Sequence, residues 1–166
     1  MSLATDPRGG RRAALAILTL GGAAVLGLLA RQGWAENPPG PPVEVLGRPV
    51  DADTLQLGRD LYAAQCAACH GADLEGQPDW QVRGPDGRMP APPHDASGHT
   101  WHHSDQALLR IIRDGLGALV PGYQSDMPVF GEVLSDAETE AVLAFIKSTW
   151  PERERAYQAE ATRNDG

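Results

Sequence analysis

Lysine is almost missing from this sequence: Lys147 stands alone, and every other formal cation is an arginine. Four of those arginines, Arg8, Arg11, Arg12 and Arg31, sit near the N-terminus, and from residue 32 onward 10 basic residues face 21 acidic ones. Such a surface repels nucleic acid and anionic membranes, so nucleic acid is not an expected partner, whereas a basic patch on another protein would be attracted. Cysteine is scarce as well. The two present are three positions apart, which excludes a disulfide framework and leaves a chemical use for the thiols. Aromatic residues make up 5% of the chain, too few to fill a core of ordinary size. There is no alternating strand pattern and no internal repeat, and 166 residues leave room for one ordinary domain plus extensions.

What is present divides the chain into four parts. Residues 13–30 carry no charge and only one hydroxyl, and as a helix they would span about 27 Å, close to the hydrocarbon thickness of a bilayer. Behind Arg11 and Arg12 this stretch reads either as an uncleaved anchor, with Trp34 at the far interface, or as a long secretory signal cut near Gly33-Trp34-Ala35. Residues 1–35 are therefore expected to be a membrane anchor or signal peptide, and both readings send the remainder out of the cytoplasm, to the periplasmic side of a bacterial-type membrane. Residues 36–52, rich in proline, are expected to be an extended, semi-rigid linker. Residues 53–150 hold the helical patterns. Residues 151–166 are polar and are expected to be a solvated tail.

Within the third part, Asp53 and Thr54 are candidate caps for a helix that runs into the cysteines. A long Gly/Pro/Asp-rich loop follows, from Gly71 to Thr100. Ser104 is expected to cap a helix ending at Gly115 or Gly117, and Ser135 with Glu138 forms a capping-box pattern for a last helix stopped by Pro151. Three such helices bury little apolar surface, so a flat apolar group bound in the middle would make up the deficit.

The stretch Cys66-Ala-Ala-Cys-His70 has the C-x-x-C-H pattern of covalent c-type haem attachment, in which two thiols add to the vinyl groups and the adjacent imidazole binds iron. The spacing follows one helical turn. A redox C-x-x-C would follow a strand, and a zinc site would need a second ligand pair; neither is visible here.

From Asp53 to Trp150 the chain resembles a class I cytochrome c. Gly58-Arg-Asp-Leu-Tyr62 is similar to the Gly-x-x-x-aromatic pattern of that family's N-terminal helix, and Val142-Leu-Ala-Phe145 to its crossing partner in the C-terminal helix. The resemblance implies an all-α fold of three to five helices around one haem c held through Cys66 and Cys69, preceded by the N-terminal apolar helix. It also implies a sixth iron ligand ahead of the last helix, where Met127-Pro128 lies 57 residues after His70. Met89-Pro90 is the rival, but it follows His70 by only 19 residues. His/Met ligation favours reduced iron and leaves no substrate position, so single-electron transfer is the implied function rather than enzymatic turnover.

Some features are left open by the residues. His94, His99, His102 and His103 lie within ten positions and invite a second metal, although the expected roles are that one or two line the haem edge or hydrogen-bond a propionate while the others are solvated. Pro78, Pro85, Pro90 and Pro92 all mark candidate carbonyls for orienting His70. Tyr123 and Trp101 are candidate neighbours of the haem propionates. A fixed subunit of a larger oxidoreductase, a small peroxidase with a displaceable methionine, and a metal-delivery protein are the alternative functions. The mass of the mature protein separates the N-terminal readings: one haem added to the intact chain is expected for an anchor, and one haem on a chain cut near Ala35 for a signal peptide. A mass with no haem would contradict the reading of the motif.

Overall fold

A computed structural model describes residues 42–165. The apolar stretch 13–30, the cleavage-site candidate at 33–35 and the first part of the linker lie outside the described residues. Among the described residues no helix is long and apolar enough to cross a membrane.

The end of the expected linker is folded. Glu44–Val45 (β1) and Arg48–Pro49 (β2) pair antiparallel, Val45 opposite Arg48. Leu46 and Gly47 both have positive φ, 52° and 73°, the backbone handedness that a two-residue hairpin requires. Val45 inserts into the core at 2% exposure, and the Leu46 amide donates to Asp105 Oδ2 at 2.7 Å. Proline content suggests extension, but buried Val45, the partly buried Val43 and Val50, and long-range hydrogen bonds from Leu46 to Asp105 and from Arg48 to Glu140 turn this segment back onto the domain.

Helix α1 (Ala52–Gln65) has its cap at Asp51, two residues before the first of the expected caps. Asp51 holds an extended backbone and accepts from the Thr54 amide at 2.8 Å, while Asp53 falls in the first turn, where its charge complements the helix dipole. The helix breaks at Cys66 and restarts as the single turn α2 (Ala67–His70). Helix α3 (Asp105–Asp114) has Ser104 as its cap, accepting from the Ala107 amide, and ends at Gly115, whose φ is 79°. Helix α4 (Asp136–Ser148) has the full capping box, with Ser135 and Glu138 each serving the other's backbone amide. Single 3-10 turns at Thr100–His102 and Leu116–Ala118 complete the connections. The chain is thus mostly helical, as the resemblance implied.

The expected solvated tail is instead helix α5 (Glu152–Asn164). Pro151 both ends α4 and opens α5, since its fixed φ suits the residue before a helix. The helix buries polar side chains: Glu154 and Gln158, four residues apart, share the packed face, and Gln158 is fully buried. Gln158 Nε2 donates to Asp105 Oδ1 at 2.7 Å and to the His103 carbonyl at 3.2 Å. Asp105, 1% exposed, also receives the Lys147 ammonium at 2.6 Å, so the chain's lone lysine is spent inside. A buried carboxylate with these partners joins the β-hairpin, α3, α4 and α5. Hydrophobic periodicity could not reveal α5 because its inward residues are amides, carboxylates and hydroxyls.

Tyr62, Leu108, Leu109, Phe130, Leu134, Trp150 and the run Val142–Ile146 form most of the core. Its centre is the crossing of α1 with α4. A Cβ placed on Gly58 would lie 1.9 Å from the Ala141 carbonyl oxygen and 3.0 Å from Phe145 Cβ. Tyr62, one turn on, meets Phe145 with ring centroids 5.3 Å apart. The glycine is thus required by contact with another backbone, which cannot rotate away as a side chain could. Gly58→Ala should push α1 off α4 and lower stability by about 3 kcal/mol, read as a fall in the urea midpoint; an unchanged midpoint would contradict this packing.

Candidate functional site

The break between α1 and α2 sets the site. The Cys66 amide still donates to Tyr62 O, and the Cys69 and His70 amides both donate to Cys66 O, at 3.1 and 2.9 Å. The two thiols therefore stand one turn apart. Both are free; Cys66 is half-buried against the core and Cys69 is exposed. Burial, reinforced by the neighbouring Cys69, pushes the Cys66 thiol up to about 11, so it is protonated at neutral pH.

His70 is buried, at 7% exposure. Its Nδ1 lies 2.9 Å from the Pro92 carbonyl oxygen. A carbonyl can only accept, so Nδ1 carries the proton and Nε2 keeps its lone pair. Burial lowers the pKa of the ring, partly opposed by this hydrogen bond. A neutral imidazole with a fixed tautomer and a free Nε2 is a metal ligand by chemistry. Of the four candidate prolines, Pro92 is thus the one whose carbonyl orients His70.

The loop that carries Pro92 is pinned at both ends. The His94 amide donates to Leu74 O at 2.8 Å, Gln77 and Ala91 exchange hydrogen bonds at 2.9 and 2.8 Å, and Trp150 Nε1 donates to His94 O at 2.7 Å. Side chains at Gly76 or Gly98 would collide with the backbone of Pro93, so the loop turns are as tight as its hydrogen bonds suggest.

His94 is the residue that sequence reasoning did not single out. Its ring lies face to face with His70, centroids 3.9 Å apart and planes 22° from parallel, and burial holds its pKa well below the ordinary value. Its Nδ1 is 2.8 Å from Thr100 Oγ1, which itself donates to Pro93 O at 3.3 Å. Thr100 thus has a lone pair for a His94 Nδ1–H. No local signal separates His94 from its three neighbours; its place two residues after Pro92 is what delivers it.

The other histidines join aromatic pairs. His99 stacks on Trp80, His103 meets His99 edge-on, and His102 lies against Trp101 and Tyr157. Among the described residues, no group of three His, Cys, Asp or Glu side chains is placed to hold a metal. Trp101 belongs to the α5 contact, whereas Tyr123 lies under the Arg83 guanidinium at 5.6 Å.

Both candidate methionines are half-buried. Met127 packs against the core, and its amide donates to Ser125 Oγ at 3.1 Å; Met89 is not part of that packing. An ion pair between Arg88 and Asp126 ties the two methionine-bearing loops together. A cleft of about 490 Å³ lined by Val43, Asp105, Lys147, Arg155 and Gln158 contains none of Cys66, Cys69, His70 or Met127.

A family model described as Cytochrome c matches residues 55–150. No curated protein and no solved structure matches the chain.

Burial, with a smaller effect of neighbouring imidazoles, lowers the pKa values of His99 and His103. Below about pH 6.5 the unfolded chain binds protons that the folded one resists, so the stability present above that value is lost as pH falls through the lowered values. The urea midpoint should therefore drop between about pH 7 and pH 5, and the drop should shrink in the His99→Gln/His103→Gln double variant. An equal drop in both proteins would remove these rings as its cause.

Proposed function

The chain belongs to the cytochrome c family, and on that premise we propose that it is a monohaem electron carrier in which Cys66 and Cys69 bind the haem, His70 is the proximal ligand and Met127 the sixth. The family implies covalently bound haem c and haem-based electron transfer. The single observation that carries the site assignment is the Pro92 carbonyl on His70 Nδ1, which leaves Nε2 as a lone-pair donor next in sequence to two free thiols.

The residues present fit the group. The thiols are one helical turn apart with no disulfide between them, the imidazole is neutral and held, and a thioether on a separate loop packs against the same core. When bound, the haem supplies a one-electron couple, and a thioether ligand favours its reduced form. The protein's own part is to hold geometry. Pro92 fixes the tautomer and rotation of His70, His94 covers one face of its ring, and Pro128 biases Met127 toward extended backbone so that the loop can offer its side chain. A ligand set that does not rearrange lowers the cost of moving an electron in or out.

The carrier is placed outside the cytoplasm because cytochrome c thiols follow an apolar segment behind a double arginine. Tethering through residues 13–30, on the periplasmic side of the membrane, would raise its effective concentration near membrane redox complexes such as those of a respiratory chain. The acidic surface favours donor and acceptor proteins with basic docking faces, since Lys147 is buried and the remaining cations are arginines outnumbered by carboxylates.

The oxidised protein should show the weak near-infrared band of methionine-to-iron coordination. Met127→Ala should abolish it and Met89→Ala should keep it; the opposite pattern would transfer the sixth position to Met89.

A further inference from the structure

The sequence offers two Met-Pro pairs preceded by opposite charges, Arg88-Met89-Pro90 and Asp126-Met127-Pro128, and the fold brings those charges together. We propose that the Arg88–Asp126 pair is a latch that keeps the Met127 loop closed and so sets how readily Met127 leaves the sixth position. The proposal rests on Met127 being that ligand.

The Met127 loop has little else to hold it. Its backbone is anchored where the Val120 amide donates to Leu116 O and again where the Phe130 and Gly131 amides donate to Ile112 O and Arg113 O. Among the described residues, positions 121–129 make no backbone hydrogen bond to another element. Between the anchors the loop is restrained by side chains: Met127 on the core, Tyr123 under Arg83, and Asp126 on Arg88.

The opposite side of the latch is a turn closed by its own hydrogen bonds. The Gly84 amide donates to Arg88 O at 2.8 Å, the Arg88 amide to Asp86 Oδ1 at 3.1 Å, and Arg83 Nη1 to Gly87 O at 2.6 Å. Four residues beyond Arg88 the same loop presents the Pro92 carbonyl to His70. One segment therefore meets His70 at one end and the residue before Met127 at the other. Arg88 is a positioning residue, acting on the ligand through Asp126.

The Arg88 and Asp126 side chains are 41% and 65% exposed, so water and salt compete for the pair. Its loss should bias loop opening about two- to fivefold without unfolding the domain.

The test uses the haem-loaded, full-length oxidised protein, with neutral imidazole as the probe that enters when Met127 leaves. Arg88→Gln and Asp126→Asn should each speed imidazole entry about two- to fivefold, with a urea midpoint lowered by no more than the same two- to fivefold change in the folding constant implies. The charge swap Arg88→Asp/Asp126→Arg should return the rate toward that of the parent. Added salt should speed entry in the parent and have little effect in either single variant. Unchanged rates in the single variants, a swap as fast as they are, or a salt effect that persists without the pair would each overturn the latch. Survival of the near-infrared band in Met127→Ala would instead remove the ligand assignment, whatever the latch variants do.

Discussion

The contact between α1 and α4 at Gly58 is the constraint on which the remaining structure depends. With a Cβ position only 1.9 Å from the Ala141 carbonyl oxygen, the two backbones touch, and no other residue type can occupy that point without separating them. Because α1 ends in the cysteine motif, the crossing also decides where the thiols and His70 stand relative to the core. Tyr62 extends the coupling: its ring packs on Phe145, and its hydroxyl donates to Gly71 O, just past His70. Core packing and site placement are thus two results of one helix pair.

The site then draws on a long irregular loop. Thirty residues without regular structure are tolerable here because their polar backbone is satisfied by cross-loop hydrogen bonds and by the Trp150 indole. This loop does chemical service through atoms that carry no sequence label: a carbonyl that sets the His70 tautomer, and a histidine ring that covers one imidazole face. The same loop meets the Met127 segment through a charge pair, Arg88 with Asp126.

Polar burial organises the opposite end of the domain. Asp105 gathers Lys147, Gln158 and the Leu46 amide, and through them the β-hairpin and α5 join the core. Removing one of these groups leaves a buried charge or an unpaired amide, and Gln158 Oε1 is already buried without a hydrogen-bond partner. That is why the chain's two extensions read as a linker and a tail: their docking is done largely by hydrogen bonds, which leave no apolar periodicity, and by a few apolar contacts at Val43, Val45, Val50 and Tyr157.

The sequence by itself determined what depends on a few neighbouring residues. The spacing of Cys66, Cys69 and His70 is covalent, the Ser104 and Ser135 caps act within one turn, and Gly58 with Phe145 marks a crossing that resemblance alone could pair. Only the tertiary structure decided which of four prolines faces His70, which of four histidines stacks on it, that Arg88 reaches Asp126, and that residues 152–164 pack as a helix. Those choices join groups far apart along the chain, and their energy appears only after the loops have closed and water has left the contact.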